Sequence, residues 1–112
     1  MSGKMSRDKG KRFELLARKF FQKRELTRTH IGNDDPDIII TAMGHAIAVE
    51  CKNHASISLA QWWKQADEAA EKYNAEAAVI FHKRKGKTEG GDQWVTMSAE
   101  HFERLLMFME PF

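Results

Sequence analysis

Asp35-Pro36-Asp37-Ile38-Ile39-Ile40 and Val49-Glu50-Cys51-Lys52 decide how this chain reads. The first stretch places an acid directly after a proline, at the head of an apolar β-branched run. The second places an acid and a lysine two apart inside another apolar run, with Glu50 thirteen positions after Asp37. In a strand, residues i and i+2 share a face. Glu50 and Lys52 therefore point one way and Cys51 the other. Burying a charged pair in a central strand is costly unless the charges are used. Two carboxylates beside one lysine can hold a hard divalent cation next to a phosphate and an attacking water. The pattern points to metal-assisted phosphodiester hydrolysis.

Working outward, Ser6 is positioned to cap a helix running to about Lys23, with Phe13, Leu16, Ala17, Phe20 and Phe21 as its apolar stripe. Leu26 to Ile31 alternates weakly, as an edge strand would. Gly32-Asn33-Asp34-Asp35-Pro36 is a loop. Asp37–Thr41 and His45–Lys52 read as two strands joined by a turn at Met43-Gly44. Ser58 is placed to cap a helix over Leu59–Asn74, its inward face carrying Leu59, Trp62, Ala66, Ala70 and Tyr73. Ala77–His82 is a strand, Lys83–Gly91 a basic hairpin loop and Gln93–Met97 the return strand. Ser98 caps a last helix whose apolar face is Phe102, Leu105, Leu106 and Met109. The order α-β-β-β-α-β-β-α implies an α/β domain over 1–112, a mixed central sheet flanked by helices, with residues 1–8 as a basic tail.

The chain has 112 residues, enough for one core. A single cysteine excludes an internal disulfide and a cysteine-based zinc site, and fits a reducing cytoplasm. No run reaches membrane-spanning length, so no membrane partner is expected. The net charge of +2 conceals a segregation. Up to Arg28 there are ten basic residues against three acids, and Lys83-Arg84-Lys85-Gly86-Lys87 forms a second basic cluster. Such clustering suits a phosphate backbone; solvated helix faces and a basic tail are the plain alternative.

With these elements in place, Pro36-Asp37 and Glu50-Cys51-Lys52 resemble the PD-(D/E)xK nuclease superfamily. The subgroup most alike is the small Holliday junction resolvases of archaea and bacteriophages. Their first helix opens with a Lys-Gly step and carries an acid shortly after, as in Lys9-Gly10-Lys11-Arg12-Phe13-Glu14. The resemblance covers roughly Lys9 to Met97. It implies a restriction-endonuclease-like sheet and a Mg²⁺- or Mn²⁺-dependent DNA endonuclease acting on branched DNA during recombination. It also implies a homodimer in the cytoplasm of a bacterial or archaeal cell, phage-encoded chains included.

By that resemblance Asp37 and Glu50 are the metal carboxylates and the Cys51 backbone carbonyl is a third ligand. Lys52 orients water and stabilises phosphate charge. Glu14 adds a carboxylate through water or a second ion, and Gln65 faces the site from the following helix. Lys9, Lys11, Arg12, Asn53, His54, His82, Lys83, Arg84, Lys85 and Lys87 are the candidate DNA contacts. Without the resemblance, other readings stay open. Asp37 can simply begin a strand, and Glu14 and Gln65 can be helix-surface groups. One of Trp62 and Trp63 can cover a dimer contact, stack on DNA or be partly exposed core. A dimer contact could also draw on Met107-Phe108-Met109 and Phe112. His45 and His54 lack zinc-like spacing, Cys51 should face the core rather than act as nucleophile, and no P-loop or dinucleotide fingerprint occurs. Two functional alternatives remain: a restriction-like or nicking endonuclease of the same fold, and a non-catalytic DNA-binding module.

Overall fold

The computed structural model describes residues 3–22, 27–28, 36–42 and 44–110. In it α1 (Gly3–Gln22) is followed by β1 (Thr27–Arg28), β2 (Ile38–Ala42), β3 (His45–Lys52), α2 (Leu59–Lys72), β4 (Ala77–His82), β5 (Trp94–Thr96) and α3 (Ala99–Phe108). The helices and the four longer strands follow the expected order; the expected first strand is described only at Thr27–Arg28, and a 3₁₀ turn at Gly90–Asp92 lies in the loop before β5. Strands β2 to β5 form a mixed sheet, and the two-residue β1 extends it in the spatial order β1-β2-β3-β4-β5. The β2–β3 hairpin is antiparallel, with Ile38 opposite Val49. Strands β3 and β4 are parallel, with Glu50 opposite Ile80 and Lys52 opposite His82, so α2 is their crossover helix. Strand β5 returns antiparallel to β4.

The period-two alternation of β3 sorts its side chains between two cores. On one face Val49, Ile38, Ile40, Val79 and Phe81 bury Phe13 and Ala17 of α1, with Ile47 and Cys51 packed alongside. Phe13 and Phe21 both contact the Phe81 ring, at centroid distances of 5.2 and 5.8 Å. On the other face Ala48, Ala78 and Ile80 receive Trp62, Ala66 and Ala70 of α2. Four small alanines, two on the strands and two on α2, let the helix lie close, with Trp62 filling the remaining width. All six residues of β4 are buried, as a central parallel strand requires.

Several expectations are corrected. Helix α1 begins at Gly3, so Ser6 lies within it rather than at its cap, and residues 3–8 are helical rather than a tail. Helix α2 ends at Lys72, and Leu59 is exposed rather than inward. Helix α3 is capped by Ser98, whose hydroxyl accepts from the His101 N–H at 3.1 Å, but it is rotated from the expected face. His101 is the residue turned inward, while Phe102, Leu106 and Met109 are exposed. A buried histidine with two partners displaced the apolar stripe. Its Nδ1 accepts the Ala78 N–H at 2.9 Å, which β5, already ended at Thr96, does not pair. The loop 32–35, the Met43 turn position, Phe112 and most of the Leu26–Ile31 segment lie outside the described residues. No helix among the described residues is long and apolar enough to cross a membrane.

Candidate active site

The chemistry-bearing side chains meet where β2 begins and β3 ends. The last ladder pair of the hairpin is Ile38 with Val49, so the backbone of β3 beyond Val49 has no β2 partner. Asp37 fills that place: the Cys51 N–H donates to its Oδ2 at 2.7 Å. The side chain thereby caps the strand and is held beside Glu50. The Lys52 carbonyl, by contrast, accepts from the Lys83 N–H at 3.0 Å on the β4 side. Successive carbonyls in a strand alternate sides. The Cys51 carbonyl therefore faces the Asp37 side, where the ladder has ended.

Helices supply the remaining groups. Lys52 Nζ donates to Gln65 Oε1 of α2 at 2.6 Å, which fixes an otherwise mobile ammonium. From α1, Glu14 accepts from Arg18 Nη2 at 2.6 Å. Arg18 was not singled out in the sequence. The signal was present in the Glu14–Arg18 i,i+4 spacing, which places the two on one helix face. Its Nε is buried with no hydrogen-bond partner among the described residues.

The electrostatics tie these residues into one cluster. The Glu50 carboxyl is pushed up to about 7, first by burial and then by the Asp37 charge, against the pull of Lys52. Burial also raises Asp37, opposed by the Cys51 N–H and then by Lys52 and Arg18. Glu14 is raised by burial and by Asp37, with Arg18 opposing. The Cys51 thiol, on the α1 side, is pushed well up by burial and the surrounding carboxylates, which removes it as a nucleophile. Three acids that disfavour one another's ionisation, with one lysine and one arginine near, leave an excess of negative charge for a cation to relieve.

Among the described residues, no three His, Cys, Asp or Glu side chains converge into a ready-made ligand set. Mg²⁺ does not need one, since it usually takes one or two carboxylates and keeps several waters. Asp37, Glu50 and the outward Cys51 carbonyl fit that preference, and Glu14, engaged with Arg18, fits a role through water.

No family model matches this chain, and no curated protein matches it.

The candidate DNA contacts divide into two groups. Lys9, Arg12, Asn53 and His54 line one hollow of about 430 Å³ next to Lys52, between the start of α1 and the loop after β3. Lys11 is exposed on the same helix but does not line that hollow. The loop after β4 behaves differently. His82 is buried, its Nε2 within 2.7 Å of Thr96 Oγ1, and burial lowers its pKa, so it is a neutral core residue rather than a phosphate contact. Lys83 donates its ammonium to the carbonyls of Arg84, at 2.9 Å, and Lys87, so it braces the loop. Arg84 lies over the Trp94 ring at 4.5 Å. Gln93 is buried and ties the loop from inside, accepting from the Arg84 N–H and donating to the Lys87 and Glu89 carbonyls. Gly90 packs on α1 so closely that a Cβ there would stand 2.8 Å from the Phe20 Cβ. Within this loop Lys85 and Lys87 are the exposed lysines.

Of the readings open for the tryptophan pair, the structure shows core with partial exposure. Trp62 is core, and Trp63 is half-buried against His101, with ring centroids 4.7 Å apart. The exposed tryptophan is Trp94, on β5. Phe108 is not free either: it stacks on His45 at 3.9 Å, and His45 Nδ1 lies 3.0 Å from Glu76 Oε1. That contact gives His45 a structural role.

Proposed function

We propose that this chain is a divalent-metal-dependent DNA endonuclease, structure-selective in the manner of a junction resolvase. The observation carrying the reading is the Asp37–Glu50 pair held at the end of β3 next to a lysine pinned by Gln65. A structural salt bridge would balance its charges. Here burial raises all three carboxyls, and the Asp37 charge adds to the rise at Glu14 and Glu50; such perturbation clusters at functional sites.

In this reading Asp37, Glu50 and the Cys51 carbonyl would hold the ion. Bound there, it would neutralise the scissile phosphate and acidify a coordinated water. Lys52, fixed by Gln65, positions its ammonium on the attacking water and on the phosphate oxygens, where charge grows in the transition state. Glu14 would order a water or a second ion from the α1 side, with Arg18 limiting the local negative charge. Lys9 and Arg12 receive the adjoining phosphates. A symmetric four-way junction offers two equivalent strands, which a two-fold dimer matches.

The test is cleavage of a four-way junction, a linear duplex and single strands in Mg²⁺ or Mn²⁺, with light scattering on the same sample. Junction cutting by a species of dimer mass supports the reading. Equal cutting of linear duplex by a monomer would replace it with a restriction-like or nicking enzyme. Binding without cutting in either metal would leave a DNA-binding module.

A further inference from the structure

A second hollow, of about 520 Å³, lies on the α2 side of Lys52 and shares Lys52, His54 and Ala55 with the first. The two are continuous past the lysine but differ in chemistry. The hollow by α1 carries Lys9 and Arg12 besides Lys52, against the single acid Asp8, a lining that suits phosphates. The hollow by α2 is lined by Ser56, Ser58, Gln61 and Gln65, with Lys52 as its one permanently charged side chain. Ser58 stands at the start of α2 yet makes no capping hydrogen bond, which leaves its hydroxyl to the hollow. Gln65 spends its carbonyl oxygen on Lys52, and its amide N–H groups remain as donors. At the rim, exposed His54 sits with its ring 5.7 Å from buried Trp62 and tilted 36° to it, which puts an accessible aromatic ring at the edge of the hollow.

Neutral donors and acceptors under an aromatic rim suit a nucleobase edge and face, not a backbone. We propose that this hollow receives one unpaired nucleobase from the strand whose phosphate lies at Lys52. The proposal rests on the nuclease reading and narrows its substrate. In continuous duplex every base is held in the stack and its edge is paired, so none reaches a hollow beside the phosphate-binding lysine. A strand that is locally unpaired at the cleavage point, as at a branch point, flap or bulge, can fill it. Selectivity then comes from the free base rather than from the overall shape of a junction.

The experiment compares two duplexes carrying a single-nucleotide bulge, one with its base and one abasic at that nucleotide. Binding is measured by fluorescence anisotropy in EDTA, and cutting in Mg²⁺. The wild-type protein is expected to bind the base-containing bulge about tenfold more tightly, the scale of one stacked base. Gln61→Ala and, separately, Ser58→Ala should lower that ratio several-fold; both positions are exposed. A ratio of one in the wild-type protein overturns the proposal, whatever the cleavage result. A retained ratio with no cutting in Mg²⁺ or Mn²⁺ supports the base site and removes the nuclease reading instead.

Discussion

Two polar clusters occupy opposite ends of the parallel β3–β4 pair, and both draw a side chain from α2. At the start of β4, His101 accepts the Ala78 N–H on Nδ1, which leaves Nε2 to donate to Asp67 Oδ1 at 3.2 Å. Ser98 caps the helix that carries it, and Trp63 covers the ring. Each ring nitrogen has a partner of the right kind, and a single carboxylate, Asp67, pairs with the ring. At the other end, Glu14, Asp37 and Glu50 crowd together under two cations, and their hydrogen bonds do not cancel the repulsion. A satisfied buried network rigidifies a fold, whereas an unsatisfied one stores free energy that a bound cation can release. The two ends therefore separate stability from chemistry, and mutations should divide the same way.

The largest effect is expected at the unsatisfied end. Asp37→Asn or Glu50→Gln should reduce cleavage by about a thousandfold or more, as loss of a metal ligand removes the ion's charge stabilisation. DNA affinity should change little, because phosphate contacts elsewhere dominate it. Lys52→Ala should cost about a hundredfold in rate while calorimetry still detects metal binding. Full activity in either acid variant sinks the metal assignment. Loss of metal binding as the main effect of Lys52→Ala would make it a structural partner of the carboxylates.

The satisfied end should respond in the opposite currency. His101→Ala leaves the Ala78 N–H unpaired in a buried strand and opens space beside Trp63. Such losses cost about 2–3 kcal/mol of unfolding free energy. Urea titration measures it, and cleavage per folded molecule should stay at the wild-type level. A variant of normal stability and reduced rate would place His101 in the chemistry and erase the contrast.

These two ends were unequally legible. The site strands could be read because their period of two and their charges coincide: Glu50 and Lys52 had to share a face, and the apolar run had to make β3 central. Gln65 entered only through the resemblance, with a helix-surface group as the alternative, and its hydrogen bond to Lys52 was not legible in the sequence. The His101 network could not be read, since its key acceptor is a backbone N–H exposed only because β5 stops at Thr96. Nothing in the α3 sequence marks that stop. Its apolar stripe instead suggested the wrong inward face. The basic loop misled for a related reason: composition records that Lys83 is charged but not that neighbouring carbonyls hold its ammonium.

A smaller effect is expected from pH. Glu50 sits at about 7 in the fold against an ordinary value of 4.5. The native state thus binds its proton more tightly than the unfolded chain. Its contribution to stability is fully present below 4.5 and is lost as pH rises through about 7. Asp37 and Glu14 act in the same direction. His82, lowered by burial from 6.5, acts oppositely, and its contribution is lost as pH falls below that value. In EDTA, Glu50→Gln should therefore be more thermally stable than wild type, by a margin that widens from pH 4.5 to about 7. Excess Mg²⁺ should close the margin above pH 7 by stabilising only the wild-type site. A margin independent of pH would show that Glu50 is not held protonated by its surroundings.

The smallest effect separates the two basic regions. Lys9 and Arg12 line the hollow at Lys52, while Lys83 is occupied by its own loop. Each phosphate contact contributes about 0.9 to the slope of log affinity against log salt. Lys9→Ala with Arg12→Ala should therefore flatten the slope by about 2 if each contacts one phosphate. Lys83→Ala should leave it nearly unchanged and instead lower thermal stability, since the Arg84 carbonyl loses its lysine donor and the Lys87 carbonyl keeps only Gln93. The shift should be the same for any DNA sequence, because backbone contacts carry no base information. An unchanged slope in the double variant would detach the α1 hollow from the path of the strand. A flattened slope in Lys83→Ala would mean that the loop releases its lysine to DNA, and would extend the contact surface past β4 to the Lys85 and Lys87 tip.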